Sequence, residues 1–446
     1  MSRRTAHPAF WVTTSYLAEG IPFAMVVWVT TTMFKDLGYA DGAITPLTAS
    51  IGIAWSLKPF WAAFLDMYRT KKFFVLAMEL FMAALFGAIA LALKLPSYFP
   101  IIIGLLWVVA FASATQDICV DGIYITTLDK KKQAAFTGVQ GMAWNVGRIF
   151  ATFAVVKLVG VLGKGSKTSW MFGWGLSAAV MTVLGLYHYF MLPTGSISER
   201  PRDAAAVMRT FGESASAFLK KKAIWGMLLF VFLYRTGEGF LLVEAPLFLQ
   251  AKLSAGGLGL SLSQKADIDG EVSTIVSVIG GLCGGLFVSK LGLNKRTLVF
   301  LAICMNVPHF CYVYLSQTVS PDAPLSLQTI YTLVSIEKFG YSFGFVGNML
   351  YMMQQIAPGK YKMTHYAFCT ALMNLVLVPT QMASGPLADW LGYRTFFIFV
   401  VIASLPSIAA AWIAPFPNSE GDQAEGDEQG GGGASDGAKE AVAAAA

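Results

Sequence analysis

Ionisable side chains interrupt stretches of this sequence that are otherwise apolar. Glu19 lies in Ala18-Glu19-Gly20-Ile21-Pro22, and Lys58 and Glu79 stand in the next two apolar runs. Asp117 and Asp121 follow, then Arg148, the group Arg235, Glu238 and Glu244, and the pair Glu337-Lys338. A charge at the centre of a bilayer costs about 2.5–3.5 kcal/mol on insertion scales, so each needs a partner or water. Asp117 and Asp121 are four apart and share a helical face. Two carboxylates that close cannot both be charged cheaply, which is the property a proton carrier needs. The alternative is that Asp121 closes a structural network with a Lys or Arg. Gly20 and Pro22 weaken a helix beside Glu19, and Gly237 and Gly239 flank Glu238, so backbone groups there are freed for solute or water. Asp117, Glu19, Glu238 and Asp121 are therefore the proton-coupling candidates.

Arg235 either neutralises Glu238 one turn away or holds an anion. Arg148 and Lys338 either grip a solute carboxylate or phosphate, or pair with Asp117 and Glu337. Gln116, Asn145 and Glu337 join them as solute-contact candidates. Trp28 and Trp144 can stack on a sugar ring, while Trp11, Trp55 and Trp61 read as lipid-belt or packing residues. Lys58, Asp66 and Arg69 read as structural or gating groups. His188 and His309 read as packing residues, and His365 as a proton-relay candidate.

These residues need helices to position them, and composition says in which solvent. Of 446 residues, 56% are hydrophobic and 13% charged, against about a quarter charged in soluble domains. Mean hydropathy is +0.60. A bilayer core takes about 20 apolar residues per crossing helix. Twelve runs qualify: 9–34, 43–66, 73–94, 98–127, 134–158, 169–192, 223–250, 271–290, 297–316, 327–357, 362–388 and 395–414. Arg3 and Arg4 precede the first, which is too long for a secretion signal and lacks a small-residue cleavage site, so it is expected to stay as an anchor. Loops on the side of the termini hold 20 of the 32 Lys and Arg, the other side 8. That bias puts both termini in the cytoplasm. The net charge of +6 is thus a topology signal, with no nucleic-acid stripe. The five Cys fall inside spans without paired spacing and the four His are scattered, so no disulfide, metal or cofactor is expected. No phosphate-cradling loop, nucleophile elbow or His-Glu-x-x-His is present, which argues against an enzyme.

The halves echo each other. Glu19-Gly20 matches Glu238-Gly239 at an offset of 219, and Asp117 falls near Glu337 at 220. The basic turn Arg69-Thr70-Lys71-Lys72 is echoed by Leu293-Asn294-Lys295-Arg296. The expected organisation is a six-helix bundle over 1–192, a cytoplasmic linker loop over 193–222, a second bundle over 223–416, and a disordered tail over 417–446 that is rich in Gly, Glu and Ala. A duplicated six-helix unit, its halves related by an axis along the membrane normal, is the arrangement of the major facilitator superfamily.

Several segments carry a finer resemblance. Ser113-Ala114-Thr115-Gln116-Asp117-Ile118-Cys119-Val120-Asp121-Gly122 resembles the fourth-helix signature Ser-x-x-Gln-Asp-Ile-x-x-Asp of the AmpG-like muropeptide permeases, a branch allied to the acetyl-coenzyme A transporters. Lys58-Pro59-Phe60-Trp61-Ala62-Ala63-Phe64-Leu65-Asp66-Met67-Tyr68 resembles that group's Lys-x-x-Trp-x-Pro-x-x-Asp-x-Tyr, with Ala63 where Pro is usual. Weaker likenesses are Tyr234-Arg235-Thr236-Gly237-Glu238-Gly239-Phe240 and Gly385-Pro386-Leu387-Ala388-Asp389-Trp390. Many members carry Tyr-Arg-x-Gly in the fifth helix, where this chain reads Trp144-Asn145-Val146-Gly147-Arg148. The resemblance implies an all-α integral membrane protein of the major facilitator fold, with twelve helices in two pseudo-symmetric bundles. In that fold the first, fourth, seventh and tenth helices line a central cavity, and most of the costly charges lie on those four; Glu79 does not and receives no role. It further implies a monomer in the bacterial inner membrane that imports anhydro-muropeptides by alternating access, with solute and protons as partners. The alternatives are a carrier of acetyl-coenzyme A, another anionic conjugate or a siderophore, and a non-transporting membrane sensor on the same fold.

Overall fold

The computed structural model describes residues 7–58, 60, 61, 65, 70–128, 130–163, 165–195, 204–359 and 361–417. Asp66, Arg69 and the tail beyond 417 lie outside them. The described residues are helical, with one isolated bridge between Ser320 and Ala323 and no strand. Lipid offers no hydrogen bonds to a bare backbone, so chains this apolar satisfy their amides within helices. Nine stretches among the described residues are long and apolar enough to cross a membrane. The longest, Thr364–Ile413, covers two of the twelve expected spans. Within it Gly392 adopts φ 71°, a left-handed conformation that glycine enters without steric cost, and this one residue turns the chain between two helices. The expected spans 43–66 and 327–357 are not among these nine.

Helix starts follow local chemistry. Thr70, Ser166 and Ser326 each accept a hydrogen bond from an amide three residues on. Ser261 with Gln264, and Asn294 with Thr297, close reciprocal capping boxes. These caps satisfy amides that the first helical turn leaves without partners. The interior segment expected as a loop over 193–222 instead holds a helix, Ala204–Leu219. Its run of Ala204, Ala205 and Ala206 is the strongest helix-forming composition in that stretch.

The described residues form two compact units. The first draws on 1–39, 47–207 and 260–271, the second on 40–46, 208–259 and 272–446. Two short helix starts are thus packed away from their sequence neighbours. In the first unit the Lys157 ammonium meets Asp267 at 2.5 Å, and Lys265 donates to the Thr32 hydroxyl at 2.7 Å. In the second, the Tyr393 hydroxyl donates to Asp41 at 2.5 Å, and the Gly42 amide donates to Asp389 at 2.7 Å.

Glycine sets the approach of the helices that carry the site. A Cβ on Gly20 would run into the Trp144 carbonyl, and one on Gly147 into the Leu17 carbonyl. The first helix and the helix Lys130–Ile149 therefore touch backbone to backbone. This corrects the expectation that Gly20 and Pro22 open the helix around Glu19. Pro8–Ala24 runs unbroken through both. The disturbance comes later, as a π-helical turn at Met25–Val29. Pro22 has no amide to give its helix, and a widened turn is one way a helix absorbs that loss. A second π-helical turn, Phe150–Val155, directly follows Arg148.

Candidate solute and proton site

In the first unit, three helices bring four charges together. Glu19 lies on the first helix and is buried, 6% exposed. Asp117 and Asp121 lie one turn apart on Tyr98–Thr127. Lys58 follows the short helix Ile53–Ser56. Its ammonium pairs with Asp117. One carboxylate oxygen from each of Glu19, Asp117 and Asp121 lies within 4.8 Å of the others. Tyr16, one turn before Glu19, donates its hydroxyl to Asp121 at 2.7 Å. The Asp121 residue is exposed and Asp117 half-buried. Three carboxylates so close suit a hard cation or a shared proton, and Lys58 already supplies one positive charge.

Behind this group runs a buried polar chain. Gln116 donates to Glu79 at 2.9 Å, and His188 Nδ1 lies 2.8 Å from both Glu79 carboxylate oxygens. His188 Nε2 lies 2.9 Å from the Thr14 hydroxyl. Glu79 and His188 are fully buried. Glu79, given no role by sequence, is therefore the hub that fixes Gln116 beside Asp117. Its cost in an apolar helix was the signal that it must have a partner.

A ring cluster stands one turn from the charges. Phe23 packs against Trp28, Trp55 and Trp144, with centroids 5.4, 4.9 and 5.6 Å away. Arg148 lies over the Trp28 ring, its guanidinium carbon 5.5 Å from the centroid. Thr31 and Thr32 bond the Trp28 carbonyl at 2.7 and 3.0 Å, and Thr152 bonds the Arg148 carbonyl at 2.9 Å, which satisfies backbone groups at the two π-helical turns. Asn145 donates to the Gly141 carbonyl at 3.0 Å. Three buried acceptors here have no hydrogen-bond partner among the described residues: Glu19 Oε1, Gln116 Oε1 and Asn145 Oδ1. Buried polar atoms of this kind are uncommon and call for an explanation.

The second unit handles its charges differently. The expected seventh span breaks at Arg235, between helices Ile224–Tyr234 and Thr236–Gln250. Arg235 clasps Glu238 with two bonds of 2.6 Å, lies 4.6 Å from the Phe345 centroid, and reaches the Tyr341 hydroxyl at 3.4 Å. Lys338 meets the neighbouring Glu337 at 3.1 Å. His309 Nδ1 lies 2.9 Å from the Ser404 hydroxyl, and His365 Nε2 lies 3.1 Å from the Ser214 carbonyl. Of the residues singled out by sequence, Glu19, Lys58, Asp117 and Asp121 converge with Trp28, Trp144 and Arg148 nearby; Arg235 and Glu238 form a closed pair in the other unit.

The helical fold and the charged clusters define a membrane carrier, and comparison names its family. The model of the Major Facilitator Superfamily matches residues 10–368, and the chain belongs to that family. Among curated proteins it is similar to "Putative transporter AmpG 4" of Rickettsia felis, 22% identical over 417 residues, covering 88% of this chain and 92% of that one. The "Anhydromuropeptide permease" of Escherichia coli K12 is also 22% identical, over 88% of this chain and 76% of its own. Among solved structures, the nucleoside transporter NupG superposes with a TM-score of 0.70 at 15% identity, over 92% of this chain and 99% of that one. A D-xylose-proton symporter superposes with a TM-score of 0.64 at 13% identity, over 92% and 97%. The chain is a membrane transporter, not an enzyme.

Proposed function

We propose that this carrier imports cell-wall muropeptides, GlcNAc-anhydroMurNAc peptides, by alternating access and couples the movement to protons. The observation that carries the reading is the group Glu19, Lys58, Asp117 and Asp121. It sets an ammonium among three carboxylates, so a proton arriving at Asp117 loosens Lys58 and leaves it to the neighbouring acids or to a solute carboxylate. Binding and protonation then bias the same charge, which is what coupling requires. Glu238 is a second proton candidate, held by Arg235. The AmpG-named relatives support the solute class. Arg148, Trp28, Trp144, Asn145 and Gln116 lie within the same unit as the acids and are the proposed solute contacts there; Arg235, Glu337 and Lys338 are the proposed contacts of the other unit. The proposed setting is the bacterial inner membrane, with both termini cytoplasmic and the two bundles joined by the 193–222 segment.

The test is uptake of a radiolabelled muropeptide into proteoliposomes under an inward proton gradient, with acetyl-coenzyme A as competitor. Accumulation is expected to collapse when the gradient is dissipated and to fail in Asp117→Asn. Unchanged proton-driven accumulation in both Asp117→Asn and Glu238→Gln would refute the coupling assignment. Accumulation of acetyl-coenzyme A in place of muropeptide would refute the solute.

A further inference from the structure

Three helices of the second unit are interrupted, and the interruptions are tied to one another. The first is Arg235, between Ile224–Tyr234 and Thr236–Gln250. The next is the 3-10 turn Val307–His309, between Lys295–Asn306 and Phe310–Thr318. The third is Ser404, between Lys362–Ala403 and Leu405–Ile413. Ser407 donates to the Tyr234 carbonyl and receives the Asn306 amide at 2.9 Å. A Cβ on Gly237 would strike Ser404, and one on Gly340 would strike Pro308. The turn that ends at His309 is thus packed against Leu327–Tyr351, the helix that carries Lys338.

These bonds fix where the hydrogen on His309 sits. The Ser404 hydroxyl donates to the Val400 carbonyl at 2.8 Å, so its oxygen meets His309 Nδ1, 2.9 Å away, as an acceptor. Nδ1 therefore carries the hydrogen and Nε2 keeps its lone pair. His309 is 1% exposed, and Nε2 has no hydrogen-bond partner among the described residues. Leaving a buried acceptor without a donor is costly, and packing alone would not require it. The charge of Lys338 acts on this ring. Lys338 meets Glu337 at 3.1 Å, and Glu337 acts on Cys311, two residues beyond His309. Arg235 and Glu238 are closed on each other, and Ser404 faces the ring with a neutral hydroxyl. A second positive charge near an ammonium is disfavoured, so the ring stays neutral while Lys338 is in place. We propose that His309 Nε2 is a proton-binding site, filled when an anionic group of the solute draws Lys338 away. A proton from water then bonds to the Nε2 lone pair, and that N–H bond breaks again when Lys338 returns. Solute and proton thereby favour one another by the same free energy. This rests on the reading of a proton-coupled carrier with Lys338 as a solute contact, and it gives the second unit its own means of coupling.

The experiment is nitrogen-15 NMR of the full chain in nanodiscs with labelled imidazole rings, and it needs no solute. The spectrum is followed between about pH 5 and 8, where imidazole ordinarily titrates. The chain has four His, and the signal lost in His309→Asn identifies this one. In the wild type Nδ1 should carry the hydrogen and Nε2 should stay bare across the window. In Lys338→Met, Nε2 should gain a proton within it, while Lys338→Arg, which keeps the charge, should hold the ring neutral. A neutral ring with its hydrogen on Nε2 overturns the proposal, as does a Lys338→Met ring that stays neutral throughout. If Lys338→Met does not fold, Lys338→Gln takes its place, and the wild-type tautomer remains a test by itself. Uptake into proteoliposomes gives the second readout. The side-chain amide of His309→Asn still donates to Ser404 but has no basic nitrogen. Its gradient-driven accumulation of muropeptide should fall at least about 10-fold, while exchange of labelled for unlabelled solute persists. Unchanged accumulation in His309→Asn overturns the site and leaves the transport reading standing. No muropeptide uptake in the wild type, with the NMR as expected, sinks that solute and leaves the exchange of charge between Lys338 and His309 standing.

Discussion

Arg235→Met tests whether the clasp in the second unit is structural. Glu238 is 2% exposed and receives two charge-assisted bonds of 2.6 Å from one guanidinium. Removing Arg235 leaves a buried carboxylate without the cation that compensates it. Breaking a buried pair from one side costs about 3–5 kcal/mol, and the bidentate geometry with a ring contact to Phe345 places this pair towards the upper end. Replacing both members by apolar residues removes the uncompensated charge, so Arg235→Met with Glu238→Leu should recover to within about 1–2 kcal/mol of wild type. The single variant should therefore be about 2–4 kcal/mol less stable than the double. Unfolding in mixed micelles of mild detergent and SDS reads these free energies, and proteoliposome uptake is measured in parallel. A single variant within 1 kcal/mol of wild type would refute the reasoning, as would a double variant no more stable than the single. Recovered stability with uptake still absent would give the pair a part in transport beyond holding the broken helix.

Glu79→Leu should strand the Gln116 amide and the His188 ring, costing about 1–3 kcal/mol for each orphaned buried group; the same micelle titration reads it, and Glu79→Gln should lose less. Gly147→Val should drive a side chain into the Leu17 carbonyl and separate the first helix from Lys130–Ile149, lowering stability by about 1–3 kcal/mol and cutting uptake of the proposed solute. Lys221, between Leu219 and Ile224 and outside the spans, donates to the carbonyls of Ile356 and Pro358. Burial lowers its pKa from 10.5 to about 8, with Cys369 opposing. The unfolded chain then binds more protons than the folded one between pH 8 and 10.5, so the group makes stability rise with pH across that window. Lys221→Met should remove its share of that rise, read as the change in unfolding free energy between pH 8 and 10.5.

Features that depend on neighbouring residues were legible in the sequence. Apolar runs of crossing length, the shared face of Asp117 and Asp121, and the nearness of Arg235 to Glu238 all follow from spacing along one helix. Pairings between helices were not. Lys58, read as a structural or gating group, pairs with Asp117, and Arg148 lies over Trp28. The echo between Asp117 and Glu337 becomes a similar chemistry by different routes, since Lys338 meets Glu337 from the next position in the chain. Glu79 meets His188 across 109 residues, a contact no periodicity encodes. Gly20 shows the opposite error. Read locally it weakens a helix; its use is to admit the backbone of another.

That contact sets how the first unit can move. Side chains accommodate sliding by changing rotamer, but at Gly20 and Gly147 the two main chains meet with nothing between them to readjust. Glu19, Phe23, Trp144 and Arg148 are thereby mounted on one stiff piece. Whatever swing carries a solute across must turn that piece as a whole, so acid, rings and guanidinium keep their mutual spacing throughout the stroke.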